Sequence, residues 1–380
     1  MSHVEVTHEP DGAADAPGPH RAPRRAGTWT LRRYGVRTVV ELELRQRVRS
    51  TRWRVALGAW FVVCGSVTWL TFRATAQLVG NDGLVDTGPD SALVVPRGPL
   101  IFGFIVFFVL LAGFLVAPTL SAGTINGDRD AGTLATLQVT LLSPAEIAIG
   151  KLLAGWTAAV AFLVVALPFV IVSLAAGGVR VVSLVVTLVL LVVLLGVVCA
   201  IGLGFSALVS RTTASALLTY LTVLALTVGT VILFGLTFPL ISQTDEVRVY
   251  QPSDIGGISC SWTTETQDRA HTERTWWLLA ANPFVVVADA APSAPAAARY
   301  GVPDPLGVIR DGVREARNGP AEREDWCGDG TTSGVNDASG APVWPWGLGV
   351  NLLLGAGAVW LTVRRLRIPQ GTLPRGTRVA

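Results

Sequence analysis

The chain has 380 residues, of which 51% are hydrophobic and 15% are charged, and its mean hydropathy is +0.51. This balance argues against a large soluble protein and predicts an all-α polytopic membrane protein. The net charge of +3 is a sum over both sides of a membrane, so it does not indicate a nucleic-acid partner.

The N-terminal region divides into a tail and an amphipathic segment. Residues 1–28 are polar, rich in Pro and Ala, and without the apolar core of a secretory signal, so we predict a disordered cytoplasmic tail. Residues 29–54 predict an amphipathic helix that lies at the membrane interface, and a solvated helix is the alternative. Its apolar residues fall four apart: Val36, Val40, Leu44 and Val48. Its polar face carries the expected ion pairs Glu41/Arg45 and Glu43/Arg47, and Arg45 and Arg49 are candidate membrane-interface anchors.

Six apolar runs are long enough to cross a bilayer, which needs about 20 residues. They are residues 55–72, 98–121, 147–176, 181–209, 213–241 and 346–363. In the fourth run, Gly196, Ala200 and Gly204 lie four apart, a spacing that permits close approach of a neighbouring helix.

The distribution of basic residues predicts the orientation. With the N-terminus inside, 19 of the 30 Lys and Arg residues lie in cytoplasmic segments, most of them next to span ends. We therefore expect a multi-pass protein of the cell membrane with both termini cytoplasmic, including the tail 364–380.

The loop unit, residues 242–345, is then an extracytoplasmic domain. Cys260 and Cys327 face an oxidising compartment in this topology and are candidates for a disulfide, with two free thiols as the alternative. The apolar stretch 276–288 is too short for a span, so it predicts an interfacial or re-entrant segment or, alternatively, a buried helix of this domain. Asp325, Asp329 and Asp337 do not follow the spacing of a calcium loop.

Catalytic motifs are missing from the sequence. There is no Gly-x-x-x-x-Gly-Lys-Ser/Thr loop for nucleotide phosphates, and no His-Glu-x-x-His sequence. No charged residue lies near the middle of a predicted span, which argues against a proton- or ion-coupled carrier. We expect neither an enzyme nor a metal site, and a polytopic membrane enzyme is the least favoured function.

A polar stretch, residues 124–151, interrupts the apolar runs between the second and third spans. It contains Asn-Gly-Asp-Arg-Asp-Ala-Gly-Thr from residue 126 and Leu-Ser-Pro-Ala-Glu-Ile-Ala-Ile-Gly-Lys from residue 142. This pattern resembles the segment after the second span in type-2 ATP-binding-cassette (ABC) exporter permeases, which show an acidic-Arg-x-x-Gly-Thr motif followed by Pro and Gly-Lys. Asp128 stands where the family often has Glu, and the loop unit is larger than is usual.

The resemblance implies a cytoplasmic coupling helix at about residues 124–143, which would contact a separate ABC ATPase subunit. ATP and Mg²⁺ would bind that partner, so this chain would hold no cofactor of its own. A second, identical or different, permease subunit and membrane lipids are the other implied partners. The candidate contact residues are Asp128, Arg129, Asp130, Gly132 and Thr133. A solvated turn is the alternative interpretation of Asp128 and Arg129. Lys151 marks the start of the third span and is a candidate snorkelling anchor at the membrane interface, a role compatible with coupling.

Two functions remain open on these grounds. The first is the permease subunit of an ABC transporter that exports an amphiphilic or lipid-like compound. The second is a non-transporting membrane scaffold or sensor that is coupled to an ATPase through the same cytoplasmic helix.

Overall fold

The computed structural model describes residues 27–79, 84–86, 92–94, 97–132, 142–252, 260–292, 304–321, 323–325, 327 and 341–367. The predicted N-terminal tail therefore lies outside the described residues except for its last two positions. Thr133, most of the second half of the predicted coupling helix, and the C-terminal tail beyond residue 367 also lie outside them.

Six described helices are long and apolar enough to span a membrane, which confirms the all-α polytopic fold. They are α2 (Thr51–Val79), α3 (Gly98–Ser121), α5 (Pro144–Ala175), α6 (Val181–Leu208), α7 (Thr212–Ile241) and α11 (Trp344–Arg365). Several of these helices begin before the apolar run does. Thr51 and Pro144, for example, precede the predicted starts at residues 55 and 147, because a helix keeps its backbone hydrogen bonds through polar residues at its ends.

The predicted amphipathic segment forms a helix, α1 (Arg33–Arg49), that joins α2 through a single extended residue, Ser50. This helix crosses α5 at close range. A Cβ atom on Gly35 would lie 2.9 Å from the Glu146 carboxylate, and one on Gly150 would lie 2.7 Å from Cβ of Val39. The two glycines thus allow α1 to pack directly on the first turns of the third span.

The centre of the bundle is formed by α3 and α6, whose most apolar windows are 56% buried within the protein. The corresponding windows of α2 and α7 are only 17% buried, so these two helices present apolar surface outward. When the rest of the chain leaves the apolar surface of a helix uncovered, lipid or another apolar subunit must cover it.

Small residues bring α6 close to its neighbours. A Cβ atom on Gly204 would lie 3.1 Å from that of Ala358 in α11, and one on Gly196 would lie 3.1 Å from the indole nitrogen of Trp156 in α5. That indole N–H donates to the Val192 carbonyl oxygen at 2.7 Å, which satisfies a polar group among apolar side chains.

The loop unit contains a sheet that the sequence analysis did not predict. Strand β3 (Ser242–Pro252) continues directly from α7 and pairs antiparallel with β4 (Cys260–Ala270), while β5 (Arg323–Asp325) pairs parallel with β3. A short hairpin, β1 (Leu84–Asp86) and β2 (Ala92–Val94), connects α2 with α3.

A disulfide joins Cys260 to Cys327, whose Cα atoms are 6.3 Å apart. It links the start of β4 to the segment that follows β5. On the chain-entropy model, closing a loop of this size stabilises the folded state by about 4 kcal/mol.

The apolar stretch of the loop unit forms two short helices, α8 (Trp276–Ala280) and α9 (Pro283–Ala290). They are separated at Asn282, whose side chain accepts a hydrogen bond from the Phe284 amide at 2.9 Å. Val286 and Val287 of α9 are fully buried in the same apolar core as residues of α3 and α6. The stretch therefore forms a buried helix, α9, that packs among the spans, and a partly buried helix, α8, in which Ala280 is buried and Trp277 is exposed.

Two buried aspartates lie where the loop unit meets the spans. Asp289 accepts hydrogen bonds from the amides of Val343 (2.6 Å) and Trp344 (2.9 Å) at the start of α11, and from Nε of Arg314 (2.6 Å). Asp304 caps α10 (Pro305–Asn318) by accepting from the Leu306 amide at 3.2 Å. Burial raises the pKa of the Asp304 carboxyl, which lies against Gly103 of α3.

Candidate functional site

The polar stretch between the second and third spans begins with a short helix, α4 (Thr124–Asp130), anchored by hydroxyl groups of two other spans. Oγ of Ser206 in α6 accepts hydrogen bonds from the amides of Ile125 (3.1 Å) and Asn126 (3.2 Å), which have no partner within the first turn of a helix. Oγ of Ser215 in α7 donates to the Ala122 carbonyl oxygen at 2.7 Å. The start of α4 is thus attached to α6 and α7.

Lys151 lies at the centre of a cluster of charges that joins three helices. Its ammonium nitrogen Nζ is 2.6 Å from Oδ2 of Asp128 in α4 and 2.7 Å from Oε1 of Glu43 in α1. Nζ also lies 3.4 Å from the Thr124 carbonyl oxygen. We call Glu43, Asp128 and Lys151 the Lys151 cluster.

The burial of this ammonium makes a carboxylate counter-charge necessary. Only 1% of the Lys151 side chain is exposed, against 16% for Glu43 and 24% for Asp128. A buried ammonium without a counter-charge would be several kcal/mol less stable, so its carboxylate partners hold α1 and α4 against α5. A snorkelling lysine would extend toward water, whereas this side chain ends inside the protein.

Of the other predicted contact residues in and just after α4, Arg129 contacts a buried side chain of the same helix, whereas Asp130 and Gly132 are exposed. Nη1 of Arg129 donates to Oδ1 of the fully buried Asn126 at 3.1 Å, which restrains the guanidinium at the edge of α4. Asp130 is exposed. Gly132 is exposed too and has a φ of +69°, the left-handed conformation that ends helices and favours glycine.

The anchors proposed on α1 lie on its exposed side. Arg45 pairs with Glu41 at 2.7 Å, as expected from their spacing, and Arg49 is exposed. The second expected pair does not form, because Glu43 faces Lys151 and Nη2 of Arg47 donates instead to the Leu120 carbonyl oxygen at 3.1 Å.

A second carboxylate that the sequence analysis missed, Glu146, ties the N-terminal segment to the start of α5. It is buried and accepts from the amides of Arg32 (2.7 Å) and Ser143 (2.8 Å). Ser143 in turn accepts from the Glu146 amide at 3.0 Å. The sequence Ser-Pro-Ala-Glu carries the signature of this capping box, so the pattern was available. Glu43 had no such signal, because nothing in its sequence spacing points to Lys151.

Metal ligands are not assembled in the part of the chain that the structure describes, where no three His, Cys, Asp or Glu side chains are placed to share an ion. Asp329 and Asp337 lie outside the described residues.

Comparison with protein families decides the identity of the chain. The family model described as "ABC-2 family transporter protein" matches residues 37–295 of this chain. The chain belongs to this family. A search of curated proteins found no match.

Membership in the ABC-2 family confirms the resemblance inferred from the polar stretch. It makes this chain a permease subunit of an ABC transporter, a multi-pass membrane protein that associates with an ABC ATPase subunit. The matched region begins within α1 and includes the whole Lys151 cluster, so the cluster lies in the part that is shared with the family.

Replacing the ammonium tests the role of the cluster in this ABC-2 permease. We expect Lys151→Met to destabilise the protein by about 3 kcal/mol, because it leaves the carboxylates of Asp128 and Glu43 facing each other without a counter-charge. Thermal unfolding of the purified permease in detergent measures the loss.

The matched control is Glu41→Gln, which removes the exposed pair with Arg45 and should change stability by about 0.5 kcal/mol or less. Combining Lys151→Met with Glu43→Gln and Asp128→Asn should recover part of the loss. Equal stabilities of Lys151→Met and Glu41→Gln would contradict the assignment.

Proposed function

We propose that this permease exports an amphiphilic or lipid-like compound, driven by ATP that a separate ATPase subunit binds and hydrolyses with Mg²⁺. In this proposal α4 and the residues that follow it form the coupling helix, and the permease itself has no enzymatic activity and holds no cofactor. The sequence contains no phosphate-binding loop, which supports the assignment of ATP binding and hydrolysis to a separate subunit.

The Lys151 cluster is the observation that carries the proposal. Force applied to a surface helix acts on a membrane span only through a rigid connection. Asp128 belongs to α4 and Lys151 to the second turn of α5, and their 2.6 Å ion pair supplies that connection. Glu43 extends it to α1 at 2.7 Å, so displacement of α4 by an ATPase would move the start of the third span and the interfacial helix together.

The surface of α4 suits a protein contact. Asp130 and Gly132 are exposed, and Arg129 is held in place by Asn126. We assign Asp128, Arg129, Asp130, Gly132 and Thr133 to the contact with the ATPase. Internal contacts fix the backbone of α4 while Asp130 and Gly132 stay exposed, and Asp128 would connect this surface to Lys151.

The proposed topology places both termini and α4 in the cytoplasm and the loop unit outside the cell membrane. The excess of arginine beside the span ends on the α4 side supports this orientation. The Cys260–Cys327 disulfide supports it independently, since disulfides persist in oxidising compartments.

Export of an amphiphile is supported by the peripheral helices. The outward apolar surfaces of α2 and α7 suit both lipid contact and packing against a second permease subunit. A path between two such subunits would be lined by apolar side chains, which favours a substrate with a large apolar part.

A sensor or scaffold is the second candidate, favoured by one connection between the loop unit and a span. Residues 225–229 of α7 form a π-helical turn, and Nδ2 of Asn282 donates to the Thr227 carbonyl oxygen at 2.7 Å and to Oγ1 of Thr230 at 3.1 Å. A partner bound to the loop unit would therefore act on a helix whose hydrogen-bond pattern is already irregular.

Coupling is tested with the paired variant Asp128→Ala/Arg129→Ala, co-purified with the ATPase subunit and reconstituted in vesicles. We expect loss of permease-stimulated ATP hydrolysis together with loss of export. Because Asp128 also serves the Lys151 cluster, Glu43→Gln is compared with the paired variant: Glu43→Gln weakens the cluster but leaves the surface of α4 intact, so it should lower the stimulation several-fold, and the paired variant should lower it further. Glu41→Gln, which removes only the exposed pair with Arg45, is the matched control and should keep full stimulation. Undiminished stimulation in the paired variant would refute the coupling role, and stimulation without any export in the native permease would favour the sensor.

Topology is tested with single cysteines introduced at Asp130 and Trp262. An impermeant maleimide should label position 262 in intact cells and position 130 only after permeabilisation. The native background is low, since Cys64 and Cys199 are buried and the other two cysteines form a disulfide. Labelling of position 130 alone in intact cells would reverse the topology.

A further inference from the structure

An open apolar groove runs along the outer side of α1, between this helix and α5. Its volume is about 820 Å³, within the range of small-molecule binding sites. Ile149 and Leu153 of α5 form one wall of the groove. Residues one helical turn apart on α1 form the other: Val36, Val40, Leu44 and Val48.

The rim of the groove is strongly cationic. Five arginines and one glutamate line it: Arg32, Arg33, Arg37, Arg45, Arg49 and Glu41. Glu41 pairs with Arg45 at 2.7 Å. Within the described part of the chain, Arg33, Arg37 and Arg49 have no carboxylate within 4.0 Å, the limit for an ion pair. Guanidinium groups bind phosphate oxygens in a bidentate manner, so the rim suits an anionic headgroup.

The position of the groove favours a lipid over a soluble ligand. Ile149 and Leu153 belong to the first three turns of a membrane-length helix, and α1 leads through Ser50 into the first span. The groove therefore lies where the headgroup layer meets the acyl chains, with its arginines at the level of phosphates.

The inner side of the same helix holds the Lys151 cluster. Glu43 points from α1 to Lys151 at 2.7 Å, while Val39 packs against Gly150. A ligand that spans the outer groove would press α1 onto α5 and thereby hold Glu43 against the ammonium.

We infer that the groove between α1 and α5 binds an anionic phospholipid, with one acyl chain on the valine and leucine wall and the phosphate at Arg33 and Arg37, and that this lipid supports coupling by holding α1 in place. The regulatory part rests on the proposed function, whereas the binding part does not.

Binding is measured on the full-length permease without its ATPase. The purified protein is equilibrated with phosphatidylglycerol or phosphatidylcholine, and the retained lipid is determined by native mass spectrometry. We expect phosphatidylglycerol to be retained preferentially. The variant Arg33→Gln/Arg37→Gln should bind it about thirty-fold more weakly, given the usual contribution of a basic residue near an anionic surface.

The control variant Arg365→Gln/Arg367→Gln removes the same charge from exposed positions outside the groove and should bind phosphatidylglycerol as the native protein does. Equal retention of the two lipids by the native protein would overturn the site. An equal loss in both variants would also overturn it, because it would mean diffuse attraction to a basic surface. Tight association of a second copy of the chain through this face, abolished by Arg33→Gln/Arg37→Gln, would assign the groove to a protein contact instead.

Regulation is measured separately, as ATP hydrolysis by the permease–ATPase complex in nanodiscs of either lipid. We expect stimulation in phosphatidylglycerol that falls several-fold in phosphatidylcholine and in Arg33→Gln/Arg37→Gln. Preferential lipid binding with equal stimulation in both lipids would overturn the regulatory part. Preferential binding with no stimulation in either lipid would instead refute the proposed function and leave the lipid site standing.

Discussion

The ion pairs of Lys151 are the contacts on which the arrangement of this permease depends. The chain contains a single lysine, and its ammonium is buried between the carboxylates of Asp128 and Glu43. Because a buried cation must keep its counter-charges, the pairs set the position of α4 below the bundle and of α1 beside the third span. The pairs therefore join α4, α1 and the third span at one point.

Around this point, other polar contacts attach the remaining spans. Hydroxyl groups of Ser206 and Ser215 hold the start of α4 to α6 and α7. Near the other end of the bundle, Asp289 ties the loop unit to the start of α11. Asn282 binds the π-helical turn of α7. Buried polar groups therefore fix contacts at both ends of the bundle.

The fold was largely predictable because its main determinant, apolar length, is local in sequence. Runs of about 20 apolar residues specified six spans, and the polar stretch after the second span indicated the family. Helix ends were less predictable, since residues such as Thr51 continue a helix beyond the apolar run. The sheet was missed because β4 is built mainly of polar residues: its burial alternates along the strand, but its sequence has no alternation of apolar and polar residues that would reveal this.

The site was only partly predictable for a different reason. Asp128 and Lys151 were identified from the family pattern, but their direct contact was not, and Glu43 was assigned to Arg47 by helical spacing. Which cation a carboxylate meets depends on how α1 crosses α5, and that crossing depends on Gly35 and Gly150. Sequence spacing describes neighbours within one helix, whereas the cluster is formed between three.

The central claim, that α1 and α4 move as one body through Lys151, is tested most directly by a distance between spin labels. Gly127→Cys on α4 and Gln46→Cys on α1 place labels at exposed positions, and a side chain at residue 127 meets no other group. Double electron–electron resonance on the permease–ATPase complex should give one narrow distance that is unchanged between the nucleotide-free and ATP-bound states, and Lys151→Met should broaden it. A distance that changes with nucleotide in the native protein, or that Lys151→Met leaves unaffected, would contradict the account.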